Sequence, residues 1–241
     1  MILPDLPARR PGWADDPPWA PVYDWLVEHE RVGGALWRFA TDSDLQALYD
    51  AAGEIGRLPA GSRVLDVPCG GGVALRGLRR GQGLDYVAAD IAEAMLDRTM
   101  DAADRRGLAD QVRPLVADVE ALDLADEEFD LVVSFTGLHC FPDPHRAVLE
   151  LGRVLRPGGV LTGSAILNDT GLRFTGLRLG GRASGLIGPS CTTPELLAWL
   201  VEAGLTRVRA ETSGALVYFR AVKPDSPQHS AGPEAAGACG T

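Results

Sequence analysis

The chain has 241 residues, a formal net charge of −10 at pH 7 and 46% apolar residues. That length and apolar content suit one α/β domain with a small appendage, able to fill a core without disulfides or a structural metal. The acidic balance repels phosphate backbones and anionic lipid, which sets nucleic acid aside as a partner, and no run approaches the ~18 consecutive apolar residues of a membrane span.

Residues 1–21 form a Pro-rich segment, and the start Met1-Ile2-Leu3-Pro4-Asp5 has no basic stretch leading into an apolar one, so no signal peptide is expected. Residues 22–58 read as a helical cap. Thr41-Asp42-Ser43 offers N-caps for a helix carrying Leu45, Leu48, Tyr49, Ala52 and Ile55. Trp13, Trp19, Trp25 and Trp37 fall in the first part of the chain with Tyr23 and Phe39, as staples for those helices or as the lining of an apolar acceptor pocket.

From residue 63 strand and helix patterns alternate. Strands are predicted at 63–67, 84–90, 112–117, 129–136 and 158–166, and helices at 72–80, 92–106 and 143–155. Such alternation implies βαβ units and a mainly parallel sheet covered on both faces. Residues 168–190 are glycine-rich with no clear period and read as an inserted arm or lid. A helix follows at 193–203, with Thr193 as N-cap and Pro194 at its first position. Two strand patterns, 205–212 and 215–223, are separated only by Ser213-Gly214 and should pair as an antiparallel hairpin. Residues 224–241 read as a disordered tail. The four cysteines are scattered without a C-x-x-C pair, which points away from a zinc site or disulfide framework and towards a reducing compartment, the cytoplasm.

The most informative stretch is Val64-Leu65-Asp66-Val67-Pro68-Cys69-Gly70-Gly71-Gly72. An apolar strand runs into an acid and then a glycine-rich turn, where bare backbone lets a ligand approach and the amides opening a following helix can meet it. A carboxylate in front of the glycines repels a pyrophosphate and favours a cationic group. Further along, Asp90 ends the second strand and Ala117-Asp118 follows the third. Phe129-Asp130-Leu131-Val132-Val133 forms the fourth, and Leu155-Arg156-Pro157-Gly158-Gly159 precedes the fifth.

This ordered series resembles the class I S-adenosylmethionine-dependent methyltransferases, in the small-molecule branch that includes the ubiquinone and menaquinone methyltransferases. The resemblance is tight over roughly residues 60–166 and looser over the terminal hairpin. It implies a Rossmann-like, doubly wound seven-stranded sheet, mainly parallel with the last strand antiparallel. A methyltransferase domain would then span 59–223, with the helical cap before it and the lid within it. It also implies S-adenosylmethionine as cofactor and a small, mostly apolar or lipid-like acceptor. Carried onto this sequence, Asp66, Pro68, Cys69, Gly70 and Gly72 would hold the methionine and ribose side, Asp90 the ribose hydroxyls, and Asp118 and Val119 the adenine, with Ile91 a further cofactor-binding residue. Pro68 stands where the family usually has glycine; it keeps its carbonyl and loses an N–H.

A nicotinamide dehydrogenase is the rival, since Gly70 and Gly72 match the first two glycines of G-x-G-x-x-G and Asp90 lies at the right remove. Leu75 stands at the third glycine. A non-catalytic module that binds the cofactor is the other alternative. For chemistry, His139, just past the fourth strand, is the candidate general base, against a role as a hydrogen-bonding pocket wall. Cys140 reads as a small apolar filler, His145 as outer-face, and His29 as solvated. Arg173, Arg178 and Arg182 either meet an acidic group on the acceptor or are solvated. No Asn/Asp-Pro-Pro-aromatic motif follows the fourth strand, as it does in nucleic-acid amino-methyltransferases, and no carboxylate cluster suggests a metal.

Overall fold

A computed structural model describes residues 30–225. The Pro-rich segment, the first part of the expected cap with Trp13, Trp19, Tyr23, Trp25 and His29, and residues 226–241 of the expected tail lie outside the described residues.

Seven strands form one sheet: β1 (Arg63–Asp66), β2 (Asp85–Asp90), β3 (Val112–Val116), β4 (Phe129–Phe135), β5 (Leu155–Ile166), β6 (Thr206–Ser213) and β7 (Leu216–Val222). Their order is β3-β2-β1-β4-β5-β7-β6. The pairs from β3 through β5 are parallel, while β7 runs antiparallel to both β5 and β6. The sheet is therefore the doubly wound, mainly parallel one expected, with a reversed last strand.

Six helices cover it: α1 (Glu30–Thr41), α2 (Leu45–Ala52), α3 (Glu93–Arg106), α4 (Pro144–Val154), α5 (Thr175–Ala183) and α6 (Thr193–Glu202). On one face Leu45, Leu48, Ala52, Leu96 and Ala103 pack on Val64, Tyr86, Leu131 and Val133. On the other, Ala147, Val148, Leu151, Leu196 and Leu200 pack on Leu65, Val87, Val132 and Leu161. Burial on both sides explains why β1, β2 and β4 read as near-continuous apolar runs. No helix among the described residues is long and apolar enough to cross a membrane.

Several expected boundaries move. Residues 72–80 do not form an α-helix; Val73–Gly77 is a single 3-10 turn that ends in extended backbone at Leu78. A Cβ on Gly77 would stand 1.9 Å from the Ala52 carbonyl oxygen, so α2 is pressed against this turn too closely for a full helix to follow. Leu75 and Leu78 are both buried, a spacing of three that serves either helix type. The arm is helical over α5 rather than periodless: Gly181 lets Ile187 fold back on it, at a point where a Cβ would stand 2.5 Å from the Ile187 side chain.

The caps also shift. Asp44, not Thr41, Asp42 or Ser43, caps α2 by accepting from Gln46 N–H at 3.0 Å. Thr192, not Thr193, opens α6 in a capping box with Glu195. The hairpin turns on Gly214-Ala215, one residue later than read; Gly214 has φ +58 and the Ala215 N–H donates to the Thr41 carbonyl at 2.7 Å.

Candidate functional site

The order reverses at β1, whose neighbours β2 and β4 lead to opposite edges. Ligands of open α/β sheets bind at the carboxyl ends of strands flanking such a point, and here Asp66 ends β1 and the glycine-rich turn begins.

The turn is strapped down on three sides. Cys69 N–H donates to the Ala89 carbonyl at 2.9 Å, Gly70 N–H to Asp90 Oδ2 at 3.1 Å, and Thr99 Oγ1 to the Gly70 carbonyl at 2.7 Å. Gly70 (φ +51) and Gly72 (φ +83) occupy the left-handed region that favours glycine. Around Gly70 no atom lies within 4 Å of where a Cβ would stand, so its backbone lines an open cradle. The five-residue 3-10 turn that follows offers no helix dipole, which leaves ligand recognition to the turn's own backbone.

Pro68 follows a cis peptide bond and packs its ring on Gly137, where a Cβ would stand 2.2 Å from Pro68 Cδ. Pro68 thus joins the ends of β1 and β4. Cys69 is buried, and burial together with the nearby Asp90 and Asp66 pushes its thiol well above the ordinary range, so it is no nucleophile.

Two carboxylates sit beneath the turn. Asp66 is 1% exposed and accepts from the Tyr86 hydroxyl at 2.7 Å. Burial pushes its carboxyl up to about 7; the Tyr86 hydrogen bond opposes this and Asp90 adds to it. Asp90 is 4% exposed, and its oxygens accept from Gly70 N–H and, at 3.0 Å, from Ala92 N–H. Burial raises it to about 6, against the pull of backbone N–H groups at Ala92, Gly70 and Ile91. Neither carboxylate meets a cation among the described residues. A protein interior holds such acids in readiness for a cationic or hydroxyl-bearing ligand.

Beyond Asp90, Ile91 is 47% exposed despite its apolar side chain, while Val119 is buried. Half-buried Asp118 accepts from Glu120 N–H at 2.9 Å through Oδ1. These groups stand at the ends of β2 and β3. An open backbone cradle, buried unpaired acids and an apolar shelf together fit a nucleoside with a positively charged end, so the residues present suit S-adenosylmethionine.

His139 lies in the 3-10 turn Leu138–Cys140 after β4 and is buried. Its Nδ1 accepts from the Ile166 N–H at 3.2 Å, and burial lowers its pKa to about 4. The neutral ring therefore carries its proton on Nε2. Its carbonyl accepts from Gly188 N–H at 2.7 Å, which lays the return leg of the arm on this turn.

The arm's arginines are spoken for. Arg178 is buried and bonds the Thr170 hydroxyl, the Gly171 carbonyl and the Thr175 hydroxyl, which corrects the reading of it as solvated. Arg182 bonds Asn168 Oδ1 at 2.6 Å, and Arg173 pairs with Asp42 at the end of α1. Tyr86 and Thr99 are the site residues that sequence reasoning missed. The signal for Tyr86 was a phenol in a strand buried on both faces, which needs a polar partner for its hydroxyl.

A model of the methyltransferase-domain family matches residues 65–162. The chain is 43% identical over 144 residues to the demethylmenaquinone methyltransferase of Thermus thermophilus, covering 59% of this chain and 60% of that one. It is 32% identical over 161 residues to the 27-O-demethylrifamycin SV methyltransferase of Amycolatopsis mediterranei, covering 65% and 59%. The match spans between 33% and 60% of the length of the curated relatives. The fold is shared with the (4+2)-cyclase SpnF, at a TM-score of 0.62 and 23% identity over 76% of this chain and 83% of that one. Over residues 65–162, and in the sheet built around them, this chain is similar to the methyltransferase-domain family.

Proposed function

We propose that the protein moves the methyl group of S-adenosylmethionine to a small, mostly apolar acceptor. The observation that carries this reading is the open cradle at Gly70 set over two buried carboxylates that lack a cation among the described residues. When bound, S-adenosylmethionine supplies an electrophilic methyl on a positively charged sulfur. In this reading Asp66 holds the cationic end and the Gly70 and Gly72 backbone admits the methionine and ribose. Asp90 keeps lone-pair capacity for a ribose hydroxyl beside the backbone N–H groups of Gly70, Ala92 and Ile91 that it faces in the fold. Asp118 takes the adenine amino group, and Ile91 and Val119 flank the ring.

Transfer then needs an acceptor atom held in line in a dry site. His139 cannot accept a proton at Nδ1 while it holds the Ile166 amide, so we assign it to orienting the acceptor as an Nε2–H donor. The curated relatives act, by their names, on demethylmenaquinone, 27-O-demethylrifamycin SV and malonyl-acyl carrier protein, which supports an acceptor that varies around a common cofactor site. Free thiols at Cys69, Cys140 and Cys191 support a reducing compartment, the cytoplasm.

Titration calorimetry with S-adenosylhomocysteine, with NAD(H) and NADP(H) as controls, tests the cofactor. Micromolar binding of the sulfur nucleoside alone is expected; binding of a nicotinamide alone overturns the reading. A fold shared with a cyclase does not fix the reaction, so formation of S-adenosylhomocysteine from S-adenosylmethionine across an acceptor panel tests turnover. Tight binding without that product would identify a non-catalytic module.

A further inference from the structure

Asp66 and Tyr86 form a pair across neighbouring parallel strands. In the register β1 to β2, Val64 lies beside Tyr86 and Asp66 beside Ala88, so the phenol reaches up the sheet to the carboxylate from two register positions away, on the same face. Tyr86 is fully buried, and its hydroxyl stands 2.7 Å from Oδ2 of Asp66. Oδ1 has no partner among the described residues. The titratable groups facing this carboxylate are Tyr86 and Asp90 from β2 and Cys69 from the turn; α3 contributes the uncharged Thr99 hydroxyl, and β4 the uncharged Val133 beside Asp66. All three titratable groups are neutral or negative, so nothing in this cluster balances an ionised Asp66.

We propose that Tyr86 is a positioning residue for cofactor capture: its hydroxyl holds Oδ2 of Asp66 and leaves Oδ1 to a cationic group. The inference rests on the methyltransferase reading and adds to it a residue and a linked proton. The argument is electrostatic. A dry carboxylate with one hydrogen-bond donor and an acidic neighbour holds its proton up to near neutrality. A cation at Oδ1 reverses that preference, so uptake releases a proton and weakens as pH falls. Without the phenol, the ionised form loses its one donor and a higher pH is needed for capture.

Titration calorimetry of S-adenosylmethionine onto the full chain, from about pH 5.5 to about 7.5, stays below the range where the ligand's own amine titrates. Two buffers of different ionisation enthalpy report the proton released. For the wild type, affinity is expected to fall about tenfold per pH unit below a midpoint near neutrality, with a buffer-dependent heat. Tyr86→Phe is expected to move that midpoint upward by about one unit. Equal midpoints in the two proteins, or a heat independent of buffer, overturn the inference while binding itself leaves the methyltransferase reading standing. Absence of binding by the wild type removes both. Should Tyr86→Phe not fold, Asp66→Asn carries the test: it is expected to lose the proton release seen near neutrality, and release equal to the wild type there overturns the inference.

Discussion

Asp66, in the proposed cofactor site, sets that site in tension with the chain's stability. Its carboxyl rises from 3.8 to about 7 in the fold. Between those values the folded chain holds a proton that the unfolded chain has released, so its contribution to stability is lost as pH rises through about 7. The full shift corresponds to about 4 kcal/mol against the fold once Asp66 ionises. Asp90 acts in the same direction up to about 6. His139 acts oppositely: its pKa is depressed to about 4, so the stability it contributes is lost as pH falls below 6.5. Asp66→Asn isolates the first effect, since an amide oxygen can still accept from Tyr86. Thermal melts without cofactor should show the variant above the wild type at about pH 8, with the gap closing towards about pH 5. An equal gap at both would remove the account. In the sequence, the acid before the glycines carries the expectation of a cation site. Its pairing with Tyr86 was hidden, because partners across parallel strands lie a crossover apart in the chain.

At the scale of elements, strands were legible and the segment after β1 was not. β1, β2 and β4 declare themselves as apolar runs ending in acids or glycine. Val73, Ala74, Leu75 and Leu78 fit a helix on spacing alone, and only the approach of Gly77 to the Ala52 carbonyl cuts it to one 3-10 turn. No local pattern encodes that approach. The α5 helix was masked by glycines for a similar reason: Gly181 is there for Ile187, a packing need rather than a break. Two glycines of the site separate fold from function. Gly137→Ala drives a Cβ into the Pro68 ring and should lower stability by about 1–3 kcal/mol in denaturant unfolding. Gly70→Ala meets no neighbour and bears only the left-handed backbone penalty, about 1–2 kcal/mol, so it should remain folded by circular dichroism yet lose affinity for S-adenosylhomocysteine. A Gly70→Ala protein that binds normally would place the cofactor elsewhere.

For the whole molecule, the strand order follows from a few rules: alternating elements, right-handed crossovers and a two-residue hairpin. Those rules predict parallel strands and a reversed end; they do not say that β7 inserts between β5 and β6, which depends on β5 offering its stretch from Val160 to Ile166 as an edge. Removing β6 and β7 uncovers that edge and takes away Ala215, the partner of the Thr41 carbonyl. A chain ending after Gly204 should therefore lose its cooperative melt and aggregate, as measured by calorimetry and light scattering. A soluble, cooperatively melting fragment would show that the hairpin is dispensable.

The bond between Ala215 and Thr41 also orders events in time. Synthesis delivers α1 among the first described elements and the hairpin turn as the last. On the ribosome, the end of α1 must wait for its Ala215 partner until almost the whole domain has emerged. The nascent chain can assemble β1 to β5 and the glycine turn well before that. The glycine turn after β1 is thus built early and the molecule is closed late, by a single backbone bond between its two ends.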